Sequence, residues 1–80
     1  MTDPAPVYTK DRLPEGDWRS YVNTVPRRMV AVEGPLAVKT REGMYRLGRD
    51  WRGFIAVDSY GYPYPIAADE QARIYVEVTD

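Results

Sequence analysis

Phe54-Ile55-Ala56-Val57 is a continuous apolar run held between two turn signals. It limits what this chain can fold into more than any other stretch. A short run of this kind, rich in β-branched and aromatic residues, describes a strand covered on both faces. Ahead of it lies Gly48-Arg49-Asp50-Trp51. Gly accepts positive φ and Asp bonds its own backbone, so the chain turns there. Behind it Asp58-Ser59-Tyr60-Gly61 makes a second turn, with Gly61 where a left-handed residue is useful. Residues 43–66 therefore read strand, turn, strand, turn, strand, and they hold six of the ten aromatic side chains.

The flanking segments extend the pattern. Residues 27–33 read as a short β-branched strand that Gly34-Pro35 breaks. Leu36, Val38 and Thr40 then alternate with Ala37, Lys39 and Arg41. Arg41-Glu42-Gly43 turns the chain into a strand over 44–47, with Tyr45 and Leu47 inward and Met44 and Arg46 outward. Tyr62-Pro63-Tyr64-Pro65 can be extended but lacks two ladder donors, which places it on an edge or in a polyproline-like stretch. Residues 67–73 contain good helix formers with acids near the start. Ile74-Tyr75-Val76-Glu77-Val78 has the period of two of a closing strand. The expected fold is mainly β: a small, strongly bent antiparallel sheet, forming a roll or partly open barrel, with one short helix before the last strand.

Two parts are expected: a proline-rich N-terminal arm over 1–26 and a single β-rich domain over 27–80. Prolines at 4, 6, 14 and 26 prevent any long helix in the arm. Its adhesive residues are Trp18, Tyr21 and Val22, which share a face if Asp17 caps one helical turn.

Composition excludes several classes of function. The 80 residues include no cysteine and no histidine. No thiol nucleophile, imidazole base or soft metal ligand is therefore available. Neither Ser20 nor Ser59 sits in a Gly-x-Ser-x-Gly elbow. The expectation is a protein that is not an enzyme and carries no cofactor and no metal. A net charge of −1 gives no bulk case for nucleic acid or membrane. The first residues have no basic n-region or apolar h-region, so the expected compartment is the cytoplasm.

From Thr40 to Val78 the chain reads Thr-x-Glu-Gly, Gly-x-Asp-Trp, a β-run, Gly-x-x-Tyr-Pro-Ile, then Ala-Asp-Glu-Gln-Ala-x-x-Tyr-x-x-Val. This resembles the PGDYG family of small phage and bacterial proteins. The match falls on Glu42, Gly43, Asp50, Trp51, Gly61, Tyr64, Pro65 and Tyr75, about half the chain. Gly-Arg-Asp-Trp replaces the family's Pro-Gly-Asp-Tyr/Trp, and Gln71 stands where an aromatic is usual. The resemblance implies a compact β-rich domain, often phage-encoded and then in the host cytoplasm. It implies no chemistry.

Two groups of residues are candidate binding surfaces. Trp18, Tyr21, Tyr60, Tyr62 and Tyr64 would contact a protein, either a host protein or a second copy paired strand edge to strand edge. Tyrosine suits that role because it brings large area at low entropy cost. The alternative is a nucleic-acid or nucleotide face. Residues 27–52 carry seven Lys/Arg against three acids, a net of +4, and the remainder carries −5. Arg46, Arg49, Trp51 and Arg52 could there stack a base and bind phosphate. Asp58, Asp69, Glu70, Glu77 and Asp80 read as scattered surface carboxylates, since no Asp-x-Asp-x-Asp-Gly loop is present.

Overall fold

The computed structural model describes residues 5–22 and 26–77, and of Ile74 and Glu77 the backbone alone. In chain order the elements are β1 (Val7–Tyr8), β2 (Arg19–Val22), β3 (Pro26–Glu33), β4 (Leu36–Thr40), β5 (Gly43–Leu47), β6 (Arg52–Val57), β7 (Pro63–Ala67), α1 (Ala68–Ile74) and β8 (Val76–Glu77). The fold is mainly β, with its short helix before the last described strand. Strands β7-β6-β3-β2-β8 form an antiparallel five-stranded sheet. Strands β1-β4-β5 form a three-stranded sheet in which β1 runs parallel to β4. The two sheets do not close into a barrel, so one bent sheet is replaced by two stacked ones.

Strand alternation explains the layering. In β3 and β6, Val30 pairs with Ile55 and Met29 with Ala56, on opposite faces of the same two strands. Val30 and Ile55 pack against Leu36 and Val38 of the three-stranded sheet. Met29 and Ala56 pack with Ile66 on the other face, where Gln71 of α1 is buried against the Met29 sulfur. Strand β6 thus lies between β3 and β7 and contributes to two cores at once, which is why residues 54–57 are continuously apolar.

The chain crosses between sheets at three places, β1 to β2, β3 to β4 and β5 to β6, and the last two touch. Gly34-Pro35, joined by a cis peptide bond, leads from β3 to β4. Residues 48–51 lead from β5 back to β6. The Gly34 N–H donates to the Trp51 carbonyl at 2.8 Å, and the Trp51 N–H donates to the Gly48 carbonyl at 3.1 Å. A Cβ on residue 34 would collide with the Gly48 carbonyl oxygen.

Several expected elements take their predicted form. Residues 36–40 are a strand, the 41–42 and 49–50 segments are turns, and the proline-bearing β7 is an edge. In the β6–β7 turn the Asp58 carboxylate accepts the N–H groups of Tyr60 and Tyr62, both at 2.9 Å, and Gly61 takes φ 88°.

Four expectations need correction. Residues 1–26 are not a separate arm where they are described: β1 belongs to one sheet and β2 is inserted between β3 and β8 of the other. No helical turn starts at Asp17, whose carboxylate instead accepts the Arg19 Nε–H at 2.7 Å. Tyr and Val favour the extended state once β3 offers a ladder, and Tyr21 and Val22 then point to opposite faces. The closing strand is also shorter than expected. Ile74 ends α1, β8 holds Val76 and Glu77, Val76 is 67% exposed, and Val78 lies outside the described residues. Tyr45, expected inward, is 48% exposed because β5 is a sheet edge with nothing beside it among the described strands.

Gly34→Ala should destabilise the protein by more than about 3 kcal/mol, because neither crossover can retreat without moving a strand. Urea unfolding followed by tryptophan fluorescence measures it, and a loss below about 1 kcal/mol would show that the two crossovers do not depend on each other.

Candidate functional site

A chain this short builds thin cores, and each of its two cores is completed by aromatic side chains. Tyr8, Trp18 and Trp51 pack against the four buried residues between the sheets. Tyr21, Phe54, Tyr64 and Tyr75 pack against the three buried residues under α1. Seven of the ten aromatics are absorbed this way. The three outside both clusters are Tyr45, Tyr60 and Tyr62.

These three are gathered at one end of the molecule by two turns built alike. Thr9-Lys10-Asp11-Arg12 and Thr40-Arg41-Glu42-Gly43 each begin with a threonine whose Oγ1 accepts the N–H two residues on, from Asp11 at 3.3 Å and from Glu42 at 3.1 Å. Each turn presents its cation to a ring of the β6–β7 hairpin. The Arg41 guanidinium lies 4.2 Å from the centre of the Tyr60 ring, and the Lys10 ammonium 5.4 Å from that of Tyr62. Both distances are within cation–π range. Arg41 and Tyr45 also line an open hollow of about 540 Å³ with Glu42, Asp58 and Pro65. Tyr60 is 62% exposed, and Met44 beside Tyr45 is 47% exposed.

The five residues expected to bind a protein are therefore split. Tyr60 and Tyr62 belong to this surface. Tyr62 and Tyr64 do not form one strip with Tyr60, because Tyr60 and Tyr62 leave the ladder at the turn while Tyr64, within β7, is half-buried: it packs against the core under α1 and also lines the hollow beside Arg41 and Tyr45. Tyr21 meets Phe54 edge to face with ring centres 5.6 Å apart, so it completes that core. Trp18 is half-buried between the sheets and donates its indole N–H to the Pro14 carbonyl at 3.1 Å. It also forms the floor of a groove of about 600 Å³ with Leu13, Pro26 and Val57.

The alternative arginine face does not converge. Arg46 is on β5 and Arg52 on β6, in different sheets, and Arg52 pairs with Glu33 at 4.0 Å. The Trp51 ring lies over Gly53, close enough that a Cβ there would meet it at 2.6 Å, so its face is used in packing. The carboxylates are dispersed as well: Asp58 holds its turn, Asp69 and Glu70 sit in the first turn of α1, and Asp80 is outside the described residues. Among the described residues no three acids gather as a cation site, and no helix is long and apolar enough to cross a membrane.

Sequence reasoning missed Lys10, Arg41 and Tyr45. The repeated Thr-cation-acid turn was a usable signal for the first two. Nothing local marked Tyr45, since exposure there depends on which strand ends the sheet.

The chain matches no family model, and no curated protein or solved structure matches it either.

Burial holds the Tyr64 phenol above its ordinary value of 10.0; Arg27 opposes this, while Tyr75 and Asp58 add to it. The unfolded chain then loses that proton first as pH rises. The associated stability is complete below about pH 10 and is lost as pH climbs through the folded value. Tyr64→Phe, which cannot ionise, should flatten the fall in unfolding free energy above about pH 10. Denaturant titrations across that range decide it, and an unchanged slope would place the alkaline loss on other groups.

Proposed function

We propose that this chain is a non-enzymatic protein-binding module whose contact surface is the end carrying Tyr45, Tyr60 and Tyr62. One observation carries the reading: these three tyrosines are the aromatics that neither core uses, and turns bring Arg41 and Lys10 onto two of them. Tyr, Met and Arg are the residue types enriched where interfaces concentrate their energy. The rings are held on short hairpins, so little side-chain freedom is lost on contact. With Lys10 and Arg41 set against its rings, the surface suits an apolar partner segment that also carries acids.

Tagged chain incubated with bacterial cytosol, with and without nuclease, tests this. A specific protein should be retained in both samples. The double substitution Tyr60→Ala and Tyr62→Ala should weaken its capture by about tenfold or more while leaving the unfolding midpoint nearly unchanged. Tyr21→Ala, by contrast, should lower stability by about 3 kcal/mol through loss of core packing. Capture indifferent to Tyr60 and Tyr62 would overturn the assignment, and capture abolished by nuclease would return the argument to Trp51 and its arginines.

A further inference from the structure

Strand β5 is an open edge with a self-complementary sequence. The other described edges are blunted. Strand β7 has proline at 63 and 65, β1 is two residues long, and β8 has two described residues. Strand β5 has five residues, no proline and one charge, Arg46.

The direction of its free hydrogen-bonding groups can be read from its neighbour. Ala37 donates its N–H to the Pro6 carbonyl, on the β1 side of β4, at 2.9 Å. Its partner on β5 is Arg46. The pair is thus a non-hydrogen-bonded one, and the N–H and C=O of Arg46 point to the open edge. Alternation gives Met44 the same direction and gives Gly43, Tyr45 and Leu47 the ladder with β4.

From this we infer that β5 pairs antiparallel with β5 of a second copy, about a two-fold axis at Tyr45. The inference rests on the protein-binding reading and names one partner of the surface that contains Tyr45. In that register the outward groups of Met44 bond those of Arg46 in the second copy, and the reverse, as an isologous contact requires. Arg46 faces Met44 and not another arginine. Leu47 faces Gly43, whose missing side chain leaves it room. Carried past the strand ends, the same register sets Glu42 opposite Gly48 of the second copy and Arg41 opposite Arg49, so the flanking charges add no complementarity and the association is weak. Tyr45 faces Tyr45 in a non-hydrogen-bonded pair, the closer of the two kinds. The result is a six-stranded sheet across the dimer. A five-residue strand pair buries less than the ~1,200 Å² of a standard interface, so the association is weak and concentration-dependent.

The absence of cysteine makes the register directly testable. Under mild oxidation Tyr45→Cys should form a disulfide-linked dimer, because paired Cβ atoms at a non-hydrogen-bonded site are about 4.5–5.5 Å apart. Met44→Cys, which would face Arg46, should stay at least tenfold less cross-linked. Sedimentation of the unmodified chain should show its apparent mass rising toward twofold between about 1 µM and about 1 mM. Arg46→Pro should abolish that rise, since it removes an outward donor without breaking the β4 ladder. A chain that stays monomeric throughout, or one in which Met44→Cys links and Tyr45→Cys does not, overturns the inference. Either result leaves capture of another protein through Tyr60 and Tyr62 to stand or fall on its own assay.

Discussion

The structure depends on the contact between two of its three crossovers, β3 to β4 and β5 to β6. A chain of 80 residues cannot cover a five-stranded sheet with one helix, so it must supply a second sheet and pass to it and back. It does so where Gly34 lies against Gly48 and donates to Trp51. Only a residue without a side chain admits that approach. The Trp51 ring then folds over Gly53 at the start of β6. One hydrogen bond, two close backbone approaches and one indole thus set the position of β4 and β5 over β3 and β6. The core of Val30, Ile55, Leu36 and Val38 can be dry only if that position holds.

Such thin cores also explain how the aromatic side chains are distributed. With four and three fully buried members, neither core is large, and the bulky rings at their margins make up the missing area. Seven rings serve this need. Tyr45, Tyr60 and Tyr62 lie on an edge strand and a hairpin tip, where no second layer exists to receive them. Tyr60 and Tyr62 are met instead by Arg41 and Lys10, whose charged groups lie over the rings. A surface of this composition is a consequence of small size as much as of local sequence, because a thicker domain would bury the same residues.

Legibility in the sequence followed the range of the interactions involved. The apolar run at 54–57, the Asp58–Gly61 turn, the proline edge and the helix after it are encoded by neighbours in the chain, and each was readable. The placement of β2 was not. Nothing within 17–22 reports that β3 and β8 lie on either side, and that long-range pairing overrode the helical spacing of Trp18, Tyr21 and Val22. The same limit hid the split of the tyrosines. Alternation puts Tyr60, Tyr62 and Tyr64 in register only while the strand continues, and the strand begins at Pro63. Tyr64 therefore enters the core, and the two before it stay with the turn.

Edge management gives the last step. The five-stranded sheet ends in a strand with two prolines at one side and a strand of two described residues at the other, so neither offers a template for growth. The three-stranded sheet is guarded on one side by the brevity of β1, and on the other it presents β5 with Met44 and Tyr45 exposed. Three blunted edges beside one open edge make accidental pairing at β5 a standing hazard for a monomer. Arg46, the one charge on the strand, points its backbone outward and would oppose itself in any pairing that places equal residues face to face at 46. It meets Met44 only when the axis passes through Tyr45. The arginine thereby disfavours the register centred on itself, while the register centred on Tyr45 gives it an uncharged neighbour.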